Sequence, residues 1–293
     1  MFYRRKVLLA LLEALGGTAL KTDFQKLLFL VCHGQTKRSY EFVPHKYGCY
    51  SFQVDSDKRT LTKYGLVKDT EAWTLKGKAR YYHLLHQTDQ ILIIKILEQY
   101  NSLSGRALLR EVYREHPYYA INSEIIEEVL QPSERESVNA ARPVPMDASL
   151  FTIGYEGIAL ETYLRRLDSN QIRILCDVRK NPVSMKFGFS KNQLRNAAYA
   201  LGIEYMHLPE LGIDSKKRSK LESASDYKKL FKEYKATTLK NQEQALDLIV
   251  RTIDQRGRVA LTCFEASHER CHRGCVSDAL QVKGFRNDQI AHI

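Results

Sequence analysis

The sequence predicts an α/β protein: a carboxyl-terminal Rossmann-like parallel sheet flanked by helices, preceded by a mainly α, winged-helix-like domain. Three observations predict it. From residue 149 onward short apolar runs alternate with helical periods, the rhythm of strands and crossover helices in a parallel sheet. Residues 1–86 read as helices, a short basic helix and a hairpin, the pattern of a winged helix-turn-helix. Between these regions, after a helical extension over 87–130, residues 131–148 are polar and carry Pro132, Pro143 and Pro145. That composition predicts a linker and places the domain boundary there.

In order, the first helix spans residues 3–16, with Val7, Leu8, Leu11, Leu12 and Leu15 at helical spacing before Gly16 and Gly17. Its charged start and apolar run resemble a secretion signal, but Glu13 interrupts the run and no small-residue cleavage site follows. Thr22 and Asp23 are placed to cap a second helix that buries Phe24, Leu27, Leu28 and Val31. Tyr40, Phe42, Tyr47, Tyr50 and Phe52 form an aromatic cluster that reads as hairpin core more readily than as a base-stacking platform. A basic helix over 56–65, a hairpin from Leu66–Val67 and Trp73–Leu75, and a helical run over 76–83 complete the module. Lys58, Arg59, Lys63 and Lys76 lean it toward DNA, although dimerisation and peptide-binding modules use the same elements. Helices over 90–100 and 105–114 precede the break at His116 and Pro117.

In the second half strands are predicted at 150–155, 173–178, 203–208 and 258–263. Helices fall at 160–167, at 190–201 with Ser190 as cap, and twice between 226 and 255. Ligands of such sheets bind beyond the carboxyl ends of the strands. Those ends carry Gly154-Tyr155-Glu156-Gly157, Asp177-Val178-Arg179, His207-Leu208-Pro209 and Cys263-Phe264-Glu265, the last leading to Cys271-His272-Arg273.

These motifs, with Asn181-Pro182, Ser184, Gly188-Phe189, Gly202-Ile203, Tyr205 and Leu211-Gly212, resemble the bacterial and archaeal family called domain of unknown function 488 over residues 150–283. The resemblance implies an α/β fold with a shared site built from these motifs. It leaves the chemistry to the residues. Asp177 and Glu265 are candidate general bases, or stabilisers of positive charge on a sugar ring, and Tyr155 is placed to stack on a base or orient a carboxylate. Arg179, Arg273, His272, Glu156 and His207 are candidates for holding the substrate and its phosphate. The set suits cleavage at a nucleoside N-glycosidic bond, with base flipping if the substrate is duplex DNA, and a role in DNA repair or antiviral defence fits it.

Competing readings stay open. Asp177 with Arg179, or Glu265 with Arg273, make ion pairs that brace strand ends without catalysing anything. Cys263, His268, Cys271, His272 and Cys275 offer metal donors, though at no familiar finger spacing, and a thiolate nucleophile at Cys263 or Cys271 is a further alternative. The favoured reading calls for no metal and no cofactor, and neither a phosphate loop nor a dinucleotide fingerprint is present. Lys216, Lys217 and Arg218 begin a basic stretch after the third strand that is suited to a nucleic-acid backbone.

The 293 residues carry a formal net charge of +11, with 44% hydrophobic residues and a mean hydropathy of −0.39. This is a globular composition that favours a polyanionic partner, nucleic acid and DNA in particular, over a membrane; a second copy of the chain is a further candidate. Six cysteines in a chain this long make no disulfide framework, which predicts reduced thiols and a cytoplasmic location. The alternative to an enzyme is a DNA-binding regulator whose α/β domain senses a nucleotide or small anion.

Overall fold

The computed structural model describes residues 1–77, 80–100, 102–214, 217 and 223–293. The chain divides into two compact units, Met1–Arg142 and Pro143–Ile293. Among the described residues no helix is long and apolar enough to cross a membrane.

The first unit begins with α1 (Tyr3–Ala14), β1 (Thr18–Leu20) and α2 (Lys21–Gly34). Val7 to Leu12 are completely buried, so α1 is a central helix rather than an amphipathic surface one. The hairpin β2 (Val43–His45) and β3 (Gly48–Tyr50) precedes α3 (Phe52–Lys63), which Ser51 caps by accepting a hydrogen bond from the Val54 amide at 3.3 Å. Strands β4 (Val67–Asp69) and β5 (Ala72–Leu75) pair antiparallel, and β5 pairs in turn with β1. Asp57 on α3 is fully buried and satisfied from three directions: Arg4 Nε at 2.6 Å, Arg5 Nε at 2.8 Å and the Tyr40 hydroxyl at 3.1 Å. These bonds fasten α3 to the start of α1. Helices α4 (Gln87–Tyr100), α5 (Gly105–Glu115), α6 (Ile126–Val129) and α7 (Pro132–Ala140) follow.

Several local predictions are corrected. Asp23 does not cap α2: the helix begins at Lys21, and the Asp23 carboxylate instead accepts the Gly105 amide at 3.1 Å. Of the helical run at 76–83, residues 78 and 79 lie outside the described residues; Gly77 is left-handed at φ +83°, and a single turn forms at Tyr82–Leu84. The predicted linker contains α7, which Gln131 and Glu134 start with a capping box and Val138 buries against the α5 region. The division between the units, from Arg142 to Pro143, lies within residues 131–148 and follows this helix.

The second unit alternates β6 (Leu150–Gly154), α8 (Leu160–Ser169), β7 (Ile174–Asp177), α9 (Lys191–Tyr199), β8 (Glu204–His207), α10 (Ala224–Thr237), α11 (Glu243–Arg256), β9 (Val259–Cys263), α12 (His272–Val282) and β10 (Ile290–His292). The sheet is parallel throughout, in the order β10-β6-β9-β7-β8, and is flanked by helices. Both β6 and β9 are buried along their whole length, as strands covered on two faces must be. Strand β10 is an addition to the four that the sequence predicts; three residues are too few to show a period. Ser190 stands at the start of α9, yet its hydroxyl bonds the backbone of Ser184, donating to the carbonyl at 2.9 Å and accepting from the amide at 3.1 Å.

All six cysteines are free and buried. Burial pushes the Cys32 thiol up to about 12 and the Cys49 thiol up to about 11, and it raises Cys176 as well. The fold keeps these protons where the unfolded chain sheds them, so stability falls as pH rises above about 9, by about 1.4 kcal/mol per pH unit for each thiol. The buried Lys26 ammonium, lowered by desolvation, works in the opposite direction, but the raised thiols and buried tyrosines outnumber it. Urea unfolding under reducing conditions across this alkaline range checks the sign; a flat profile contradicts it.

Candidate functional site

Parallel register sets the strand ends side by side: Gly154 opposite Cys263, and Asp177 opposite both Thr262 and His207. Two groups of side chains gather there.

The first centres on Arg179. Its guanidinium donates to Asp177 through Nε at 2.8 Å and Nη2 at 2.5 Å, while Nη1 donates to the Tyr155 hydroxyl and the Phe189 carbonyl, each at 2.8 Å. Tyr205 donates to the same carboxylate at 2.5 Å, and the Arg179 amide donates to it at 3.0 Å. Asp177 is fully buried and Arg179 nearly so. Burial disfavours the Arg179 charge, but the Asp177 carboxylate outweighs it and holds the guanidinium above its ordinary range. Tyr155 stacks on Phe189 at 4.2 Å, and burial raises its phenol. His207 donates through Nε2 to the Arg179 carbonyl at 2.9 Å and accepts Lys191 Nζ on Nδ1 at 2.9 Å.

This group is a brace. Asp177 has no exposed surface from which to take a substrate proton, and the Nε and both Nη atoms of Arg179 already donate within the group.

The second group lies on the loop from β9 to α12. Gly154 lets this loop approach closely: a Cβ there would stand 1.9 Å from the Glu265 carbonyl oxygen. The Tyr155 and Glu156 amides both donate to the Phe264 carbonyl, at 3.1 and 2.9 Å, and the Glu156 carboxylate accepts the Ala266 amide at 2.9 Å. Arg273 is 1% exposed and donates to the Glu265 carbonyl and, at 2.8 Å, to the Ala266 carbonyl. These bonds fasten the loop, while among the described residues the buried Nε of Arg273 has no hydrogen-bond partner. Glu265 remains half-buried, with Oε2 accepting from Cys263 Sγ at 3.4 Å. Cys263 Sγ lies 3.7 Å from His272 Nδ1, and His272 Nε2 donates to the Val178 carbonyl at 2.9 Å.

A pocket of about 330 Å³ opens beside both groups, lined by Tyr155, Arg179, Lys180, Asn181, Cys263 and Phe264. Its rim includes Val183 and Met185, which are 80% and 102% exposed. Exposed apolar side chains at the mouth of a pocket suit a flat or apolar ligand group.

The DNA-directed lysines and arginines are not equivalent. Lys58 is buried and paired with Asp69 and Asp55. Arg59 is exposed and pairs with Asp55; Lys63 and Lys76 are exposed. Lys217 pairs with Glu233 at 2.7 Å, whereas Lys216 and Arg218 lie outside the described residues.

Sequence reasoning assigned no role to Tyr205, Phe189 or Lys186, whose Nζ donates to the Tyr155 carbonyl at 2.8 Å. For Tyr205 a signal exists: it stands two residues before His207, on the same side of a strand.

No curated protein and no solved structure matches the chain significantly. Residues 159–280, a stretch that contains Asp177, Arg179, His207, Glu265 and Arg273 while Gly154 to Gly157 precede it, match the model of the family described as Domain of unknown function DUF488.

Proposed function

We propose that the chain binds DNA through its first unit and that its second unit acts on a nucleotide at the pocket beyond β6, β7 and β9, with Glu265 as the general base. The observation that carries this reading is the half-buried Glu265 carboxylate, 3.4 Å from the sulfur of Cys263, a residue that lines a pocket with an apolar rim and Lys180 in its wall. Asp177 is then a positioning residue. The favoured reaction is hydrolytic release of a base. Glu265 takes a proton from water, the water oxygen bonds to C1′ of the sugar, the C1′–N bond breaks, and its electron pair leaves with the base, which takes up a proton. A flipped base resting on Phe264, Met185 and Val183 fits the rim, as base-extruding enzymes require.

Support for the DNA-binding part comes from the order α1-β1-α2-α3-β4-β5 with the sheet β1-β5-β4, an arrangement shared with winged helices. Residues 35–51, carrying the β2–β3 hairpin, replace the usual tight turn before α3. Arg59, Lys63 and Lys76 are the exposed cations that suit phosphate contacts, and the charge of +11 favours a polyanion. Repair or defence against foreign DNA fits this pairing.

Incubation with single- and double-stranded DNA carrying normal and modified bases, read by mass spectrometry, tests the reading. A released base and an abasic site are expected, and Glu265→Gln is expected to slow release about 10²- to 10⁴-fold with DNA binding unchanged. Intact DNA across the panel, with salt-sensitive binding retained, would instead assign the second unit to sensing a nucleotide or small anion.

A further inference from the structure

Cys263, Cys271 and His272 each turn one donor atom toward a common point, and these atoms lie within 4.8 Å of one another in a fully buried cluster. Three elements make that convergence. Cys263 ends β9, Cys271 is the residue before α12, and His272 is the first residue of α12. Gly274 keeps the loop tight over the helix start, since a Cβ there would meet the His268 carbonyl oxygen at 2.4 Å.

The imidazole is set in a ligand's tautomer. Its Nε2 faces the Val178 carbonyl at 2.9 Å, and a carbonyl only accepts, so Nε2 carries the proton and Nδ1 presents its lone pair to the cluster. A backbone carbonyl holding the remote ring nitrogen is the usual support behind a metal-bound histidine. Spacing agrees as well. Donors around a tetrahedral zinc ion stand about 3.5 Å apart when one is sulfur at about 2.3 Å and the other nitrogen or oxygen at about 2.0 Å. Cys263 Sγ lies 3.7 Å from His272 Nδ1, while the Glu265 carboxylate, 3.4 Å from the same sulfur, stands outside the group of three.

The geometry points to a zinc site in which Cys263, Cys271 and His272 are the ligands and the fourth position, beside the Glu265 carboxylate, is left for a water. Two thiolates and an imidazole select a borderline-soft ion over magnesium or calcium, and three protein ligands with one position open is the count of zinc ions that activate water. The donors also sit between two openings: Cys263 lines the pocket with Tyr155 and Arg179, and Cys271 lines a second cavity with Lys228, Lys232 and Lys235. An ion here would stand next to the carboxylate proposed above as general base. The inference rests on donor geometry alone, not on the DNA reading: a chain that holds zinc and releases no base keeps the site and drops that function, and a chain that releases a base without metal does the reverse.

The test is metal analysis of the full chain purified without a metal-chelating column, in reductant, and then loaded with zinc alone. One zinc ion per chain is expected. Cys271→Ser and His272→Gln should lose it, whereas Cys275→Ser, outside the cluster, and Glu265→Gln should keep it. Because the ligand variants are buried and can unfold, cobalt(II) in the unaltered chain gives a second reading: thiolate-to-cobalt charge transfer and the intense visible bands of tetrahedral coordination. A reduced chain that takes up neither zinc nor cobalt overturns the proposal, as does a Cys263–Cys271 disulfide persisting under those conditions. Loss of zinc from Glu265→Gln overturns the open fourth position.

Discussion

Asp177→Asn is expected to destabilise the second unit by about 3–5 kcal/mol, the cost of leaving a buried guanidinium without its anion. The substitution keeps the shape of the side chain and removes its charge. Arg179 cannot escape to water, because it is 6% exposed and anchored by Tyr155 and Phe189. The amide keeps only one of the two oxygens that now accept Tyr205, the Arg179 guanidinium and the Arg179 amide, so half of those bonds lose their acceptor. Denaturant unfolding combined with hydrogen exchange should assign the loss to residues 143–293 and leave the first unit unchanged. Combining Asp177→Asn with Arg179→Met removes the orphaned charge and should recover part of the stability, since uncharged pairs of similar volume often replace buried ion pairs at little cost. A loss below about 1 kcal/mol for the single variant would mean that water reaches the pair and that the brace is not buried in solution.

Gly154→Ala is the second large effect. The added methyl group would meet the Glu265 carbonyl oxygen at 1.9 Å and its carbon at 2.7 Å, backbone against backbone, so no side chain can rotate away. The β9–α12 loop must retreat. With it go the bonds from the Tyr155 and Glu156 amides to Phe264, the Arg273 contacts and the position of Glu265. A stability loss of about 3 kcal/mol is expected, together with loss of whatever the Glu265 carboxylate does. Thermal unfolding measures the first and the base-release assay the second. An alanine variant as stable as the parent would show that the loop stands farther from β6.

Most of the second unit is legible in the sequence because each long strand is a short apolar run bounded by polar or glycine-rich ends, as Leu150–Gly154 and Val259–Cys263 show. Alternation with helices then implies parallel strands, and parallel strands imply that their ends share one edge. What spacing does not carry is accessibility. Asp177, Arg179 and Arg273 have the residue types of a catalytic cleft, yet all three are buried, two of them neutralise each other and the third turns two of its nitrogens to backbone carbonyls. Lys58 illustrates the same limit in the first unit: it lies in a basic run, but Asp55 and Asp69 claim it. The cysteine and histidine donors were visible as residues, while their convergence depends on how the loop from Phe264 to Arg270 folds back. No periodicity describes such a loop.

The sheet order also bears on how the protein acquires its structure. Strands β6 and β7 do not pair with each other; each pairs with β9, whose residues 259–263 are synthesised long after both. The centre of the sheet is therefore the fourth of its strands to leave the ribosome, and until it arrives two apolar strands wait with open edges. Such non-local pairing slows folding and exposes the nascent chain to aggregation. The sheet of the first unit is also closed by its last strand, since β1 and β4 both pair with β5, but β5 ends at Leu75, so that sheet can close while the second unit is still being translated.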